Sequence, residues 1–257
     1  MDRTREVPGA AGRICATLEA FGFEWDGPVV RQTDREALYT AALARLEREQ
    51  RLFACSCSRQ QLAEDDRYAG TCRRGPAHPG PTCIRLRVEP GIIGFADRVQ
   101  GRFRQDVGAA VGDFILKRRD GVIAYVLAVV VDDAEQGVTH VVRGADLLDD
   151  TPRQIYLQRT LGLPMPSYAH VPLITEPDGN KLAKSRRSVG LDASRVAPVL
   201  LDVFGLLGLR PPAALKAEKL IELWRWAIRN WDSQTVPKVL VSAVPQSLQS
   251  PDWRVST

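Results

Sequence analysis

Between Asp113 and Ile174 the sequence changes its hydrophobic period several times, and this alternation constrains the fold more than any other feature. Asp113–Lys117 and Val122–Val131 predict consecutive strands around a turn at Asp120-Gly121. The second run is almost wholly apolar, as a strand covered on both faces should be. Val138–Val142 predicts a further strand, running into Arg143-Gly144-Ala145-Asp146. A helix is expected to begin near Asp150 or Thr151, with Pro152 in its first turn and Ile155, Leu157 and Leu161 along it. His170–Ile174 predicts one more strand. Strands separated by helices imply an α/β domain with a parallel core.

The flanks are more helical. Ile14, Leu18 and Phe21 recur at helical spacing, with Gly22 placed to end the helix. A second helix is expected from about Asp34 to Gln50, with Tyr39, Leu43 and Leu46 on one face. Leu52–Ala54 fits a short strand. Glu64–Pro81 is polar and rich in Gly, Pro and Arg, which is loop ordered by something other than an apolar core. Ile84, Leu86 and Val88 then alternate with Arg85 and Arg87, predicting a strand with one wet face. Beyond Leu191 the pattern is helical to about Trp231.

No apolar run approaches the roughly 20 residues needed to span a bilayer, and the N-terminal MDRTREVPGA lacks a signal-peptide core. A cytoplasmic location is expected, with no membrane association. The formal net charge of +4 mildly favours an anionic partner such as RNA.

Of five cysteines, Cys55, Cys57 and Cys72 crowd into one stretch. In a cytosolic chain such clustering suggests metal before disulfide. In extended backbone, residues two apart point the same way, so Cys55 and Cys57 can face one ion. Three thiolates suit structural zinc, which takes four ligands in a tetrahedron. On chemistry alone the fourth ligand is open among His78, Cys83 and Tyr68. Further on, Asp178-Gly179-Asn180-Lys181-Leu182-Ala183-Lys184-Ser185 is a turn followed by lysines three residues apart, an arrangement able to hold cations over a polyphosphate.

The stretch GDFILKRRDGVIAYVLAVVVDDAEQGVTHVVRGADLLDDTPRQIYL at Gly112–Leu157 strongly resembles the catalytic core of class I glutamyl- and glutaminyl-tRNA synthetases. KLAKS at Lys181–Ser185 resembles the second class I signature, KMSKS, and falls where that signature should fall. Within this group the sequence is most similar to the glutamyl-queuosine tRNA(Asp) synthetases. REVPGAA at Arg5–Ala11, then Phe23-Glu24-Trp25-Asp26-Gly27, carry that narrower likeness. So do Cys55-x-Cys57 with Tyr68 and Cys72, and the short stretch after Ser185 that contains Asn230-Trp231 and Val236-Pro237.

The resemblance implies a Rossmann-like class I catalytic domain with a zinc-containing insertion and a short helical C-terminal region. Residues 1–50 would be the remainder of the first Rossmann half and 51–105 the zinc-binding, acceptor-type subdomain. Residues 106–190 would be the second Rossmann half, ending in the lysine loop, and 191–257 the helical end. It also implies one structural Zn2+ on Cys55, Cys57, Tyr68 and Cys72, choosing Tyr68 over His78. Tyr125 and Arg143 would bind glutamate, and a guanidinium suits a carboxylate because it can grip it bidentately. Lys181, Leu182, Ala183, Lys184 and Ser185 would contact ATP, with Lys184 and Mg2+ sharing the charge of departing pyrophosphate. The implied reaction activates glutamate with ATP, without needing tRNA, and transfers it to queuosine in the anticodon of tRNA(Asp). A monomer is expected.

Two departures qualify this. Ala183 stands where the signature usually has serine. The family pattern also opens with a strand, a Pro-Ser-x-Gly-type turn and the HIGH signature, then a further strand ending in an acidic pair. Met1-Asp2-Arg3 resembles the tail of that acidic stretch. The chain as written is therefore expected to have little adenylation activity. A start site set too late is the favoured explanation; a truncated, inactive zinc-containing tRNA-binding paralogue is the alternative.

Overall fold

The computed structural model describes residues 7–58, 68–175, 193–243 and 245. Helix α1, Ala10–Ala20, ends as expected ahead of Gly22, whose φ of 77° suits glycine. A Cβ at Gly22 would also meet the Trp224 side chain, whose indole N–H donates to the Phe21 carbonyl at 2.8 Å. Helix α2, Glu36–Arg48, follows a 3-10 turn at Gln32–Arg35 and buries Tyr39 and Leu46. Strand β1, Leu52–Cys55, leads to the cysteines. Strand β2, Cys83–Leu86, pairs antiparallel with it, so that Cys55 lies opposite Cys83.

Strands β3, Ile92–Asp97, and β4, Gly101–Asp106, form a hairpin that the sequence pattern did not reveal. Ile92 and Gly94 flank buried Ile93, a short alternation that is easily passed over. A short helix α3, Val107–Ala110, precedes β5, Ile115–Lys117, which joins β1 and β2 in a three-stranded antiparallel sheet.

The expected strand at Val122–Val131 is not formed. Ile123 makes one bridge back to Lys117, and from Tyr125 the chain is helix α4, Tyr125–Glu135. The helix buries Val126, Leu127, Ala128, Val130 and Asp132. It is apolar on most sides because it lies between α2 and helix α5, Thr151–Thr160. A helix covered all round shows no 3.6-residue contrast, and period alone cannot tell it from a buried strand. Each β-branched residue costs only a fraction of a kcal/mol in helix propensity, about 0.7 at most, so burial decides.

Strands β6, His140–Gly144, and β7, Ser167–Val171, pair in parallel on either side of α5 in the chain. The second sheet has the order β4-β3-β7-β6. It is mixed: β7 runs parallel to β6 and to β3, while β3 and β4 are antiparallel. The expected strand at His170–Ile174 is divided between β7 and β8, Leu173–Thr175, which pairs in parallel with β9, Val241–Ala243. Helices α6, Val196–Leu206, and α7, Leu220–Asn230, carry Val199, Leu200, Phe204, Leu223 and Ala227 into a second core that also holds Phe21. The main core gathers Tyr39, Leu46, Leu116, Leu127, Ile155 and Leu157 around α2, α4 and α5.

Candidate functional site: a thiol cluster, a basic groove and a buried arginine

At the end of β1 the chain brings three thiols together. The sulfurs of Cys55, Cys57 and Cys72 all lie within 4.8 Å of one another, and all three residues are buried. Cys57 and Cys72 are 3.5 Å apart. The Tyr68 hydroxyl accepts from the Cys72 backbone N–H at 2.6 Å. Burial pushes the Tyr68 hydroxyl well above its ordinary range, reinforced by Cys55. Burial, then the bonds to Cys72 and Cys55, raise Cys57 to about 11. Burial would raise Cys72 too, but the backbone N–H groups of Ala77 and Ser56, with Tyr68 and Cys57, outweigh it and hold Cys72 at about 6.

Neither His78 nor Cys83 belongs to this group of close-set ligand atoms. The Cys83 thiol is turned to the Cys55 carbonyl, to which it donates at 3.4 Å, and burial raises it. The His78 backbone N–H donates to Ser56 Oγ at 2.9 Å. Three thiols in one pocket, one of them favouring thiolate, with a phenol against them, form a donor set that fits a tetrahedral zinc ion.

The loop carrying these residues is anchored by Asp113, just ahead of β5. Its carboxylate accepts from Arg73 Nε at 2.7 Å, from Arg73 Nη2 at 2.6 Å and from the Val88 N–H at 2.8 Å. Arg85 was expected on a wet face and is instead buried. Its guanidinium lies 4.0 Å over the Tyr68 ring and donates to the Asp113 carbonyl at 2.6 Å. Stacking on an aromatic face repays much of the cost of burying a guanidinium. Arg119 donates to the Ser56 carbonyl, tying the turn before α4 to the cysteines.

An open groove of about 900 Å³ runs from the cysteines to the first turn of α4. Cys57, Arg85, Arg119, Arg153 and Tyr125 are among its walls. Tyr125, the first residue of α4, is half exposed there. Arg143 is not among the residues lining this groove, so the two expected glutamate ligands do not share it.

Arg143 lies near the end of β6, where its guanidinium is set by three bonds. Nε donates to His170 Nε2 at 3.0 Å, and Nη2 donates to Thr151 Oγ1 at 2.8 Å and to the Leu147 carbonyl at 3.5 Å. Beneath it lies the Tyr168 ring, 5.4 Å away. His170 is fully buried, and its Nδ1 is 2.6 Å from Asp97 Oδ2. Sequence reasoning missed this pair, because Asp97 and His170 are 73 residues apart and no local spacing joins them. Lys181, Leu182, Ala183, Lys184 and Ser185 lie outside the described residues.

The family model for the catalytic domain of class I tRNA synthetases (E and Q) matches residues 1–200. A solved glutamate tRNA ligase from Elizabethkingia meningosepticum, in complex with its amino acid, superposes with a TM-score of 0.73. It is 21% identical, and the match covers 96% of this chain and 60% of that one. The fold and the matched model define a class I aminoacyl-tRNA synthetase catalytic domain of the glutamyl and glutaminyl type. A Glutamyl-Q tRNA(Asp) synthetase from Ectopseudomonas mendocina (strain ymp) is 53% identical over 240 residues, 93% of this chain and 81% of the relative. Another from Pseudomonas fluorescens is 48% identical over 248 residues, 96% of this chain and 83% of the relative. The chain belongs to the glutamyl-Q tRNA(Asp) synthetase family. Among the described residues no helix is long and apolar enough to cross a membrane.

Proposed function

We propose that this protein activates glutamate with ATP and transfers the glutamyl group to queuosine in the anticodon of tRNA(Asp). The observation that carries the reading is identity of about half over nearly the whole chain with relatives named for that reaction. Glutamate's α-carboxylate attacks the α-phosphate of ATP, which enters with its Mg2+, giving glutamyl-adenylate as pyrophosphate leaves. A queuosine hydroxyl then attacks the activated carbonyl, displacing AMP. Activation proceeds without tRNA.

Arg143 is the residue proposed to hold a glutamate carboxylate. Its Nε and Nη2 are engaged within the protein, and among the described residues nothing bonds Nη1. Tyr125, half exposed at the start of α4 and lining a groove that Arg143 does not, is proposed as the second glutamate ligand on the family resemblance. Lys184, with Lys181, Leu182, Ala183 and Ser185, is proposed to contact the phosphates. Cys55, Cys57, Tyr68 and Cys72 would hold one zinc ion, and the close-set sulfurs support that assignment. Bound there, the ion would supply a cross-link between β1 and the polar loop and no chemistry on the substrate.

The reading is tested with protein expressed from the longest in-frame reading frame of its gene. Glutamate-dependent ATP–pyrophosphate exchange without tRNA is expected, and Lys184→Ala should reduce it sharply while the fold persists. Unchanged exchange in that variant would remove Lys184 from the reaction. Charging of tRNA(Glu) at its 3′ end would instead place the protein with the ordinary glutamyl-tRNA synthetases.

A further inference from the structure

Arg143 is aimed by a chain of buried groups that starts at the β3–β4 hairpin. Asp97, at the end of β3, is buried, and its Oδ1 accepts from the backbone N–H groups of Val99, Gln100 and His170 at 3.0, 2.8 and 3.0 Å. These three donors pin the carboxylate. Its other oxygen, Oδ2, faces His170 Nδ1 at 2.6 Å.

A carboxylate can only accept, so Nδ1 carries the proton. In the neutral ring Nε2 is then an acceptor, and the Arg143 Nε–H meets it at 3.0 Å. Thr151 Oγ1 accepts from Arg143 Nη2 at 2.8 Å and lies within reach of two acceptors, the Leu147 carbonyl at 2.9 Å and His170 Nε2 at 3.1 Å. Whichever of the two receives its one proton, Nε2 remains an acceptor and the Nδ1 proton stays toward Asp97. Without Asp97 the ring is free to move its proton to Nε2, which would set two donors against each other and turn the guanidinium away.

We propose that Asp97 and His170 are positioning residues, which fix the guanidinium of Arg143 in the orientation that receives the carboxylate of glutamate. The inference rests on the assignment of Arg143 to glutamate made above. A ligand-binding arginine needs such support, because a freely rotating side chain loses entropy with each substrate bound, and misplacement weakens the bond that its remaining nitrogen, Nη1, can offer a carboxylate. The relay also couples β3 to the ends of β6 and β7, so the hairpin shapes a site it does not line.

The test measures KM for glutamate and for ATP, with kcat, in ATP–pyrophosphate exchange by the full-length protein. Asp97→Asn and His170→Phe should each raise the KM for glutamate about ten-fold or more, the size of one lost charge-assisted hydrogen bond. The KM for ATP should stay within about two-fold, and His170→Gln, which keeps an acceptor, should recover part of the loss. If Arg143→Ala raises the KM for glutamate while Asp97→Asn and His170→Phe leave it unchanged, the positioning role is refuted and the Arg143 assignment stands. If Arg143→Ala changes nothing, the assignment itself fails, and this inference with it. Nitrogen NMR of the unsubstituted protein gives an arm that does not depend on variants folding. The His170 ring should be neutral, with its proton on Nδ1 and none on Nε2. A proton on Nε2 would overturn the proposal.

Discussion

Replacing Asp113 with Ala removes the one carboxylate that joins Arg73, beside the thiol cluster, to the backbone after β2. Its magnitude is set by the loss at each partner. Val88 is buried, so its N–H would be left without an acceptor, costing about 1–3 kcal/mol. The Arg73 side chain is 44% exposed, so water screens it and the lost ion pair adds at most about 1 kcal/mol despite its two short bonds. The sum is roughly 1–4 kcal/mol. In a chain of this size that lowers Tm by roughly 3–12 °C. Far-UV circular dichroism during heating, near neutral pH, measures it. Arg73→Ala alone should lower Tm by no more than about 3 °C, because it leaves Asp113 still bonded to Val88. An Asp113→Ala protein melting within about 1 °C of the parent would refute the reasoning, as would equal effects from the two substitutions.

Cys72→Ser should take metal content, measured by elemental analysis after purification in zinc, from one ion per chain to almost none, whereas Cys83→Ser should leave it intact. Gly112 has a φ of 71° and packs against the Tyr68 carbonyl, with which it forms a bridge. Gly112→Ala should therefore cost more than about 1 kcal/mol in urea unfolding, and should also weaken metal retention by displacing Tyr68. Burial would raise the Asp97 carboxyl, but the bonds from His170 and from the N–H groups of Gln100, His170 and Val99 outweigh it and hold the group below its ordinary value. A depressed folded pKa contributes stability that is present above the unfolded value and lost as pH falls through the folded one. Acid titration of unfolding free energy should then decline below roughly pH 4, and Asp97→Asn should flatten that decline. A slope unchanged by the substitution would contradict the assignment.

Much of the fold could be read from local pattern. Helix α2 follows from Tyr39 and Leu46, which it buries on one face. Helix α1 was legible from the spacing of Ile14, Leu18 and Phe21, although only Phe21, just past its end, is buried and Ile14 and Leu18 stay exposed. Helix α4 could not be read, because its surroundings bury most of it and erase the contrast on which period rests. The cysteine trio was legible because Cys55 and Cys57 are two residues apart in sequence and Cys72 comes after a loop too polar to order itself. Arg85 misled for the opposite reason. Its alternation with Leu86 suggests solvent, whereas the Tyr68 ring and the Asp113 carbonyl take the place of water. The relay from Asp97 through His170 to Arg143 is a product of sheet order, since β3 lies beside β7 and β7 beside β6. Nothing local in the sequence announces that neighbourhood.

The most direct test of the central claim is transfer of labelled glutamate to tRNA(Asp) by the protein expressed from its longest in-frame reading frame. Purified tRNA(Asp) with queuosine is compared with the same tRNA lacking it. Label appearing in the anticodon fragment of the queuosine-containing tRNA alone is the predicted result. Label at a 3′ end, or in both tRNAs alike, would contradict the account.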